Sequence, residues 1–405
     1  MRNFLLRYLP HFYRIEYFLD SYLSYFLIKI TGSNFKNRTK NRLDITLLKD
    51  KIEKNQKKRL AIFVAFHNSN ELPISNLNYL DILRKTFFEI IYVHNGELNQ
   101  DIKDILKSKG CYVICRKNIG QDFGAWKDSL SLINYHKLTN KLEWILLCND
   151  SNFCLGGSNA EIFIEKFSRI LEHKKEFDFI SLNCNYEKML HYQSYFLCLS
   201  NSIFQNKKFH KFWKNYMPLS NRFHAIERGE KRLSKKVLNH FKPKVIYNSH
   251  ELYKNISSKH TNFKHLIGNL PKSSFYLESC IDLESENLNI NNLGAKKIIN
   301  ALESYNQSHV FGLLNIVFLS NPFFKKDVVR MGTFSFSQIY ELLNLEKLQL
   351  DQYLIEEIMD LLTRRGTSYS YIESVRTAYR KGINPFGTTF DYHAQTQNLK
   401  DKFFN

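Results

Sequence analysis

The segment EIIYVHNGELNQDIKDILKSKGCYVICRKN, residues 89–118, predicts the unit on which the fold is built. It begins with a short apolar run that ends in a turn at Gly96, as a buried strand does. A stretch with helical spacing follows and stops at Gly110, and a second apolar run begins at Cys111. Two such strands joined by a helix pair in parallel through a right-handed crossover. The segment therefore predicts a βαβ unit.

The same alternation continues on both sides of this unit. Residues 60–66 form an apolar run that predicts an earlier strand, and residues 143–151 predict a fourth strand. Further strand-like runs lie at 177–183, 191–200 and 243–248, with helical spacing between several of them. Repeated alternation of strand and helix indicates an α/β protein with a mostly parallel sheet. We expect a Rossmann-like αβα sandwich with amphipathic N-terminal helices and a helical C-terminal region.

Changes in composition divide the chain into three parts. The first part is basic and aromatic, the second holds the predicted strands, and the third has helical spacing with few strand-like runs. We place these parts at residues 1–55, 56–250 and 251–405.

The charge of the chain limits its partners. It has 58 Lys and Arg residues against 39 Asp and Glu residues, a formal net charge of +19. Such an excess suits an anionic membrane surface, a phosphate-rich small molecule or nucleic acid. The sequence shows no zinc-finger spacing, aromatic RNA-binding signature or basic heptad pattern, so we expect no nucleic-acid partner.

The cysteines indicate a reducing compartment. There are seven, an odd number, and several lie within apolar runs such as CYVIC and WILLC. These features are typical of reduced core residues in a cytosolic protein. Cys111 and Cys115 are separated by three residues on a predicted strand, which does not suit a zinc site.

The N-terminal sequence MRNFLLRYLPHFYRIEYFLDSYLSYFLIKI, residues 1–30, is amphipathic. Its charged residues interrupt every apolar run, so neither a signal peptide nor a transmembrane helix is expected. Aromatic and aliphatic residues alternate with arginines, as in a helix lying on a membrane surface. An ordinary amphipathic helix packed on the main domain explains the pattern equally well.

Polar residues follow each of the first four predicted strands. In a parallel sheet these carboxyl ends share one edge, and ligands bind outside it. We therefore expect a polar rim made of four short groups: His67-Asn68, His94-Asn95-Gly96, Arg116-Lys117-Asn118 and Asn149-Asp150-Ser151.

Several residues on and beyond this rim could carry chemistry. Asp150 could ligate a hard cation such as Mg²⁺, although NDS would also suit a helix N-cap. Glu230 could take a proton from a hydroxyl, or could be solvated charge on a helix. Lys325 could neutralise a diphosphate, or could be surface charge. Period-two alternation places His191 and Gln193 on one polar strand face, which an exposed strand would also explain.

Taken in order, these fragments resemble the rhamnan synthesis F family, bacterial glycosyltransferase-like proteins of polysaccharide and lipopolysaccharide assembly. The first and third motifs below are specific, and the others add weight through their order. The motifs are R-x-N-I-G-x-D-F-G-A-W-K at 116–127, NDS-x-F at 149–153, H-x-Q-S-Y-F at 191–196, E-x-x-L-S at 230–234, N-x-x-H at 306–309 and P-F-x-K at 322–325.

The strand pattern also looks like a GT-A glycosyltransferase, in which an acidic metal motif follows the fourth strand. This likeness implies that Asp150 holds Mg²⁺ or Mn²⁺ on a diphosphate and that Glu230 is the general base. NDS keeps a single carboxylate where the pattern has paired acids. The remaining implied substrate-binding residues are His67, Asn68, Asn95, Arg116, Asn118, Gly120, Asp122, Gly124, Asn149, Ser151, His191, Gln193, His309 and Lys325.

The likeness gives the N-I-G-x-D-F-G-A-W motif a specific place. Residues 118–124 would run beside the nucleotide-sugar, with Asp122 contacting base, ribose or donor sugar. Gly120 and Gly124 would let the backbone approach the nucleotide, and Trp126 would anchor the following helix.

The family resemblance implies a glycosyltransferase that extends a lipid-linked cell-surface glycan with inversion. The donor would be a nucleotide-sugar, with rhamnose or another sugar. The protein would be cytoplasmic and peripheral on the inner face of the plasma membrane, drawn to anionic lipids. The C-terminal part would complete the acceptor and diphosphate site. A non-catalytic scaffold that binds glycans or nucleotide-sugars is the alternative, and the reduced NDS motif is its support.

Overall fold

The structure is a computed structural model. It describes residues 45–54, 58–67, 70–173, 176–186, 189–258, 306–330 and 342–363, and single positions at 19, 22, 23, 26, 27, 30 and 339. Most of the predicted N-terminal part, much of the C-terminal part and Asn68 lie outside the described residues.

A seven-stranded sheet forms the centre of the described chain. Its order is β10-β6-β9-β4-β1-β2-β3, and β9 runs antiparallel to its neighbours β4 and β6, while the remaining pairs are parallel. Two-stranded sheets join β5 with β11 and β7 with β8. The strands are β1 Arg59–Ala65, β2 Phe88–His94, β3 Cys111–Cys115, β4 Trp144–Asn149, β5 Asn152–Cys154, β6 Phe179–Ser181, β7 Cys184–Asn185, β8 His191–Tyr192, β9 Phe196–Ser200, β10 Pro243–Val245 and β11 Phe323–Lys325.

Helices connect the strands and cover the sheet. The α-helices are α1 Ile45–Lys54, α2 Ile74–Lys85, α3 Gln100–Ser108, α4 Gln121–Tyr135, α5 Gly157–Glu172, α6 Asn201–Phe204, α7 Lys207–Asn215, α8 Arg222–His224, α9 Lys231–Lys236, α10 Ser249–Ser258, α11 Gln307–Val310, α12 Gly312–Leu319, α13 Lys326–Arg330 and α14 Gln352–Thr363. A π-helical segment covers Ala225–Glu230, and 3₁₀ turns cover Leu138–Lys141, Leu238–His240 and Glu346–Leu348.

Both faces of the central sheet are buried, which is why β1 is apolar without alternation. Ala61 and Phe63 of this strand belong to one hydrophobic core, together with side chains of α2, α3 and α5. Leu60 and Ile62 point to the opposite core, which contains side chains of α1 and α4. Strands buried on both faces read as continuous apolar runs. The result is the expected layered arrangement of helices around a mostly parallel sheet.

The four strands predicted between residues 60 and 151 are confirmed to within a few residues. The prediction was wrong at 191–200, where one strand was expected: a turn at Ser194 and Tyr195 separates β8 from β9. His191 and Gln193 therefore do not share a face of one continuous strand. The C-terminal part also contributes a strand, β11, in a region expected to be helical.

Candidate functional site

The crevice between β1 and β4 is where the strand order reverses. In the sheet, β2 and β3 lie on one side of β1, and β4, the next strand along the chain, lies on the other side. Val64 pairs with Asn149 at the carboxyl end, and the Asp150 N–H donates to the Val64 carbonyl at 3.0 Å. Ligands of open α/β sheets bind at such a reversal.

Asp150 occupies this crevice directly after β4. Its Oδ2 accepts a hydrogen bond from the Phe66 N–H at 2.9 Å, so the two strand ends are tied through the carboxylate. Burial raises the pKa of Asp150, against the lowering effect of Lys326, the Phe66 N–H and His94. The next long helix, α5, starts at Gly157, so Asp150 is not its N-cap. The N-cap alternative is therefore wrong.

Asp122 is the second carboxylate of the site. It lies in the first turn of α4, and Asn149 Nδ2 donates to its Oδ2 at 2.6 Å. Burial, followed by the charge of Asp150, raises the pKa of Asp122 to about 7. The NDS motif supplies a single carboxylate, and the structure brings that of Asp122 near it. Asn149 and Asp122 come together only when α4 packs beside β4, so no local motif could show the pair.

β11 brings a cation to these carboxylates. It pairs antiparallel with β5, placing Lys325 opposite Asn152. Lys325 Nζ donates to Ser151 Oγ at 2.9 Å and lies 4.5 Å from the centroid of the Tyr195 ring. Burial lowers the pKa of Lys325, while the charges of Asp327, Glu230 and Asp122 raise it. This ammonium thus lies within electrostatic reach of carboxylates from both α4 and the π-helical segment.

Glu230 ends the π-helical segment and faces the turn between β8 and β9. The Ser194 N–H and Oγ both donate to Glu230 Oε2, at 2.7 Å and 2.6 Å. His191 Nε2 lies 3.6 Å from the other oxygen, Oε1. His191 Nδ1 donates to the Met189 carbonyl at 2.9 Å, which fixes the ring orientation. One carboxylate oxygen is therefore held by the turn, and the other faces an imidazole nitrogen.

Gln193 connects this turn to the C-terminal part. Its Nε2 donates to Asn306 Oδ1 at 2.7 Å, and its Oε1 accepts from Ser308 Oγ at 2.8 Å. Both amide atoms are thus used in a buried internal network. His309 lies beside these residues and is half-buried, with its N–H donating to the Asn306 carbonyl at 3.0 Å. The N-x-x-H motif therefore holds Gln193, which precedes the turn residue Ser194.

Arg116 and Asn95 have contacts that join elements of the protein. Arg116 is buried and forms an ion pair with Asp128 at 3.0 Å between Nη2 and Oδ2. The same nitrogen donates to the Ile119 carbonyl at 2.8 Å, and Nη1 donates to Asn95 Oδ1. These contacts hold the end of β2 against the start of α4. The structure thus gives Arg116 a supporting position behind the acid pair.

Packing explains both glycines of the N-I-G-x-D-F-G-A-W motif. Gly120 has a left-handed φ of 76°, and a Cβ there would lie 2.4 Å from Pro218 Cβ. At Gly124 a Cβ would lie 2.1 Å from the Ile119 carbonyl oxygen. Asn118 is exposed, and its carbonyl accepts from Ser220 Oγ at 3.1 Å. Trp126 is fully buried in the core, as expected of a residue that anchors α4.

An aromatic group borders the crevice at the end of β1. His67 Nε2 lies 3.3 Å from the Tyr92 hydroxyl, and the His67 ring lies 4.7 Å from the ring of His94. Phe66 is 51% exposed and stacks against His94 with 6.5 Å between centroids. Phe66 was not predicted as a site residue, because its apolar side chain reads as part of the strand.

The acid pair is the part of the site that could hold a metal ion. Among the residues that the structure describes, no three His, Cys, Asp or Glu side chains cluster as a metal site. Mg²⁺ often uses one or two carboxylates and takes its remaining ligands from substrate phosphates and water. The charge of Asp150 raises the pKa of Asp122, a repulsion that a cation between them would remove. The residues therefore fit a cation completed by phosphate.

Fold and site together define a mixed α/β protein with an acid-and-lysine crevice at the carboxyl edge of its sheet. Residues 90–269 match the family model described as rhamnan synthesis protein F. The match contains the four motifs between Arg116 and Ser234. It leaves out β1 and the two later motifs, N-x-x-H and P-F-x-K. No curated protein matches the chain.

Proposed function

We propose that the protein is a glycosyltransferase of rhamnan or related polysaccharide synthesis. It would transfer a sugar from a nucleotide-sugar to a lipid-linked cell-surface polysaccharide or lipopolysaccharide glycan. One observation carries the proposal: beside the strand-order reversal, Lys325 donates to Ser151, next to Asp150, and lies within electrostatic reach of Asp122 and Glu230. The family match to rhamnan synthesis protein F supports the polysaccharide context.

The fold supports a GT-A-like assignment. The fourth strand in chain order, β4, ends in Asn149 and is followed by Asp150 and Ser151. Such a position, beside the reversal at β1, is the one that the GT-A pattern gives to its acidic metal motif. The donor nucleotide would lie over the ends of β1 and β2, with its diphosphate towards Ser151 and Lys325.

Glu230 would act as the general base. Because Ser194 holds Oε2, the oxygen left to take a proton from the acceptor hydroxyl is Oε1. The deprotonated oxygen would attack the anomeric carbon as the bond from that carbon to the diphosphate oxygen breaks, inverting the configuration. Lys325 would stabilise the charge on the departing diphosphate. The proton ends on Glu230 and the electron pair on the diphosphate.

Mg²⁺ or Mn²⁺ is the cofactor proposed for this chemistry. Asp150 would hold it, with Asp122 as the second carboxylate. When bound, the cation would supply further charge neutralisation to the diphosphate.

We further place the protein at the inner face of the plasma membrane. Six described positions between residues 19 and 30 are helical and expose large apolar side chains: Leu19, Tyr22, Leu23, Phe26, Leu27 and Ile30. Their spacing of three and four residues puts them on one helix face. No helix in the described part of the chain has the length and apolarity needed to span a bilayer. An apolar face on a chain of net charge +19 suits an anionic lipid surface.

The decisive experiment is a transfer assay. The full chain is incubated with a panel of nucleotide-sugars and a lipid-linked acceptor extract, and the products are read by mass. One nucleotide-sugar should yield an acceptor heavier by one sugar residue, and Asp150→Ala should remove the product. Transfer that persists unchanged in Asp150→Ala and Glu230→Gln would refute the assigned site.

A non-catalytic binding protein of the same assembly pathway is the second candidate. Its support is that Glu230 Oε2 is already satisfied by two internal donors, as in a purely structural carboxylate. Calorimetry with the same nucleotide-sugars, combined with the transfer assay, separates the candidates. Binding without turnover would favour the second.

A further inference from the structure

The C-terminal helix α14 contacts the cationic side of the site. Lys326 is anchored beside Asp150, because its N–H donates to the Ser151 carbonyl at 3.0 Å. Its Nζ lies 3.5 Å from Glu357 Oε1 on α14 and 5.1 Å from the centroid of the Phe153 ring. The charge of Lys326 also lowers the pKa of Asp150. One ammonium is therefore shared between a carboxylate of the site and a carboxylate of α14.

Glu357 is held in place by a second element. The Ser75 N–H donates to Glu357 Oε2 at 2.9 Å, and Ser75 Oγ donates to Oε1 at 2.5 Å. Ser75 lies in the first turn of α2, so the carboxylate also satisfies a free N–H of that helix. The Lys326 and Glu357 side chains are 17% and 20% exposed, so water and salt screen this pair less than a surface pair.

We propose that Glu357 is an internal counter-ion of Lys326 that competes with a bound diphosphate. The inference rests on the proposed function, since it takes the phosphates to lie over Ser151 and Lys325. A diphosphate that reaches Lys326 must share the ammonium with a carboxylate that Ser75 keeps from moving away. Glu357 therefore lowers the affinity of the site for a nucleoside diphosphate, which favours release of this product after transfer. In this way α14, which lies outside the family match, sets the affinity of the site.

A simpler role for Glu357 is to dock α14 on α2 through Ser75. Two variants separate the roles. Glu357→Gln removes the charge but keeps an oxygen that can accept from Ser75, whereas Ser75→Ala removes part of the docking contact and leaves the charge. A docking role predicts similar behaviour for both variants. A counter-ion role predicts a change in diphosphate affinity for Glu357→Gln alone.

The test is calorimetric titration of the full chain with inorganic pyrophosphate and with uridine diphosphate. Glu357→Gln should bind both about threefold to tenfold more tightly than the unmodified protein, because removal of a partly buried charge near an anion is worth that much. Lys326→Met should bind more weakly. In the Lys326→Met background, Glu357→Gln should change the affinity by less than about twofold, because no ammonium remains for which Glu357 and the diphosphate can compete. Ser75→Ala should bind like the unmodified protein, because the backbone N–H of residue 75 still holds Glu357 Oε2 beside Lys326.

The possible results distinguish failure of this inference from failure of the proposed donor site. Unchanged or weaker binding in Glu357→Gln overturns the inference, as does equal tightening with and without Lys326. If the unmodified protein binds neither probe, the proposed donor site is wrong and the inference falls with it. Binding without tightening overturns the inference alone. Thermal melts check that each variant folds. If Glu357→Gln does not fold, Glu357→Asp replaces it. This variant withdraws the carboxylate from Lys326 and should tighten binding of both probes by a smaller factor.

Discussion

The carboxylates on the two sides of the crevice have different neighbours. On the β4 side, Asp122 and Asp150 are close enough for the charge of Asp150 to raise the pKa of Asp122, and the Asn149 amide donates a hydrogen bond to Asp122. On the opposite side, Glu230 receives two donors from Ser194 on Oε2, and its Oε1 faces His191 Nε2. The first side brings two carboxylates together, and the second side supplies hydrogen-bond donors to one carboxylate.

This difference separates two kinds of chemistry. A cation that binds between two repelling carboxylates stabilises the charged form of both. A single carboxylate with one oxygen fixed presents its other oxygen in a defined direction, as proton transfer requires. Lys325 lies between the two sides and responds to the charge of Glu230 and Asp122 alike. The variants below test whether the two sides perform the separate tasks.

The largest effect is expected from Asp150→Ala on the β4 side. If the proposed function holds, loss of the carboxylate that would bind the metal ion should lower transfer by about a thousandfold, the scale of a removed transition-state contact. The rate of sugar transfer to the lipid-linked acceptor measures the effect. Asp104→Ala, on the exposed surface of α3, is the matched control and should keep full activity. A tenfold loss or less would mean that Asp150 is not essential to the site.

Glu230→Gln tests the opposite side and should lower the rate of transfer by about a hundredfold to a thousandfold. The amide oxygen can still accept from Ser194, so the fold and the donor affinity should remain. The control is Glu227→Gln, an exposed residue of the same π-helical segment. If Glu230→Gln loses binding of the nucleotide-sugar donor rather than turnover, Glu230 contributes to donor binding, the task expected of the β4 side.

Asp122→Asn should remove a pH dependence of stability. The pKa of Asp122 rises from an ordinary 3.8 to about 7, so between these values the folded protein binds more protons than the unfolded chain. The contribution of this group to stability is therefore full below pH 4, falls as pH rises to about 7 and is constant above it. Over that window we expect a loss of roughly 2 to 4 kcal/mol from this group in the unmodified protein, and none in the variant.

Denaturant unfolding across the same pH range, without divalent cations, measures this dependence. Asp101→Asn, which changes an exposed carboxylate on α3, should follow the unmodified protein. Parallel curves for Asp122→Asn and the unmodified protein would show that Asp122 is not the titrating group.

The smallest effect is expected from Ser194→Ala. Glu230 loses the Oγ donor but keeps the Ser194 N–H, so the rate should fall by about tenfold, the value of one hydrogen bond to a charged group. Ser202→Ala, which removes an exposed hydroxyl bonded to Asp178, is the control for the assay. An effect as large as that of Glu230→Gln would show that the turn matters for more than the placement of Oε2.

Much of the sheet could be predicted from sequence because its strands are locally distinct. Apolar runs at 60–66 and 89–96 were long enough to identify, and they became β1 and β2. The antiparallel insertion of β9 could not be predicted, because strand order depends on contacts between distant segments. The turn at Ser194 was missed for a different reason: polar and aromatic residues alternate through it as they do along a strand.

The candidate site was predicted by residue type more than by arrangement. Asp150, Glu230 and Lys325 were named from motifs, and the structure brings them to one crevice. The partnership of Asp122 with Asp150 was missed, since it depends on how α4 packs against β4. Glu357 carried no motif at all. Its contact with Lys326 arises from α14, whose apolar face specifies only that it packs somewhere on the protein.

The pairing of β11 with β5 has a consequence for biosynthesis. Every strand of the central sheet is encoded before residue 246, whereas Lys325 is supplied much later in the chain. Since domains fold as the ribosome releases them, the sheet can assemble before its crevice has a cation. A nascent or truncated chain ending before β11 would carry Asp122 and Asp150 without the Lys325 ammonium and, if the proposed function holds, would not transfer sugar.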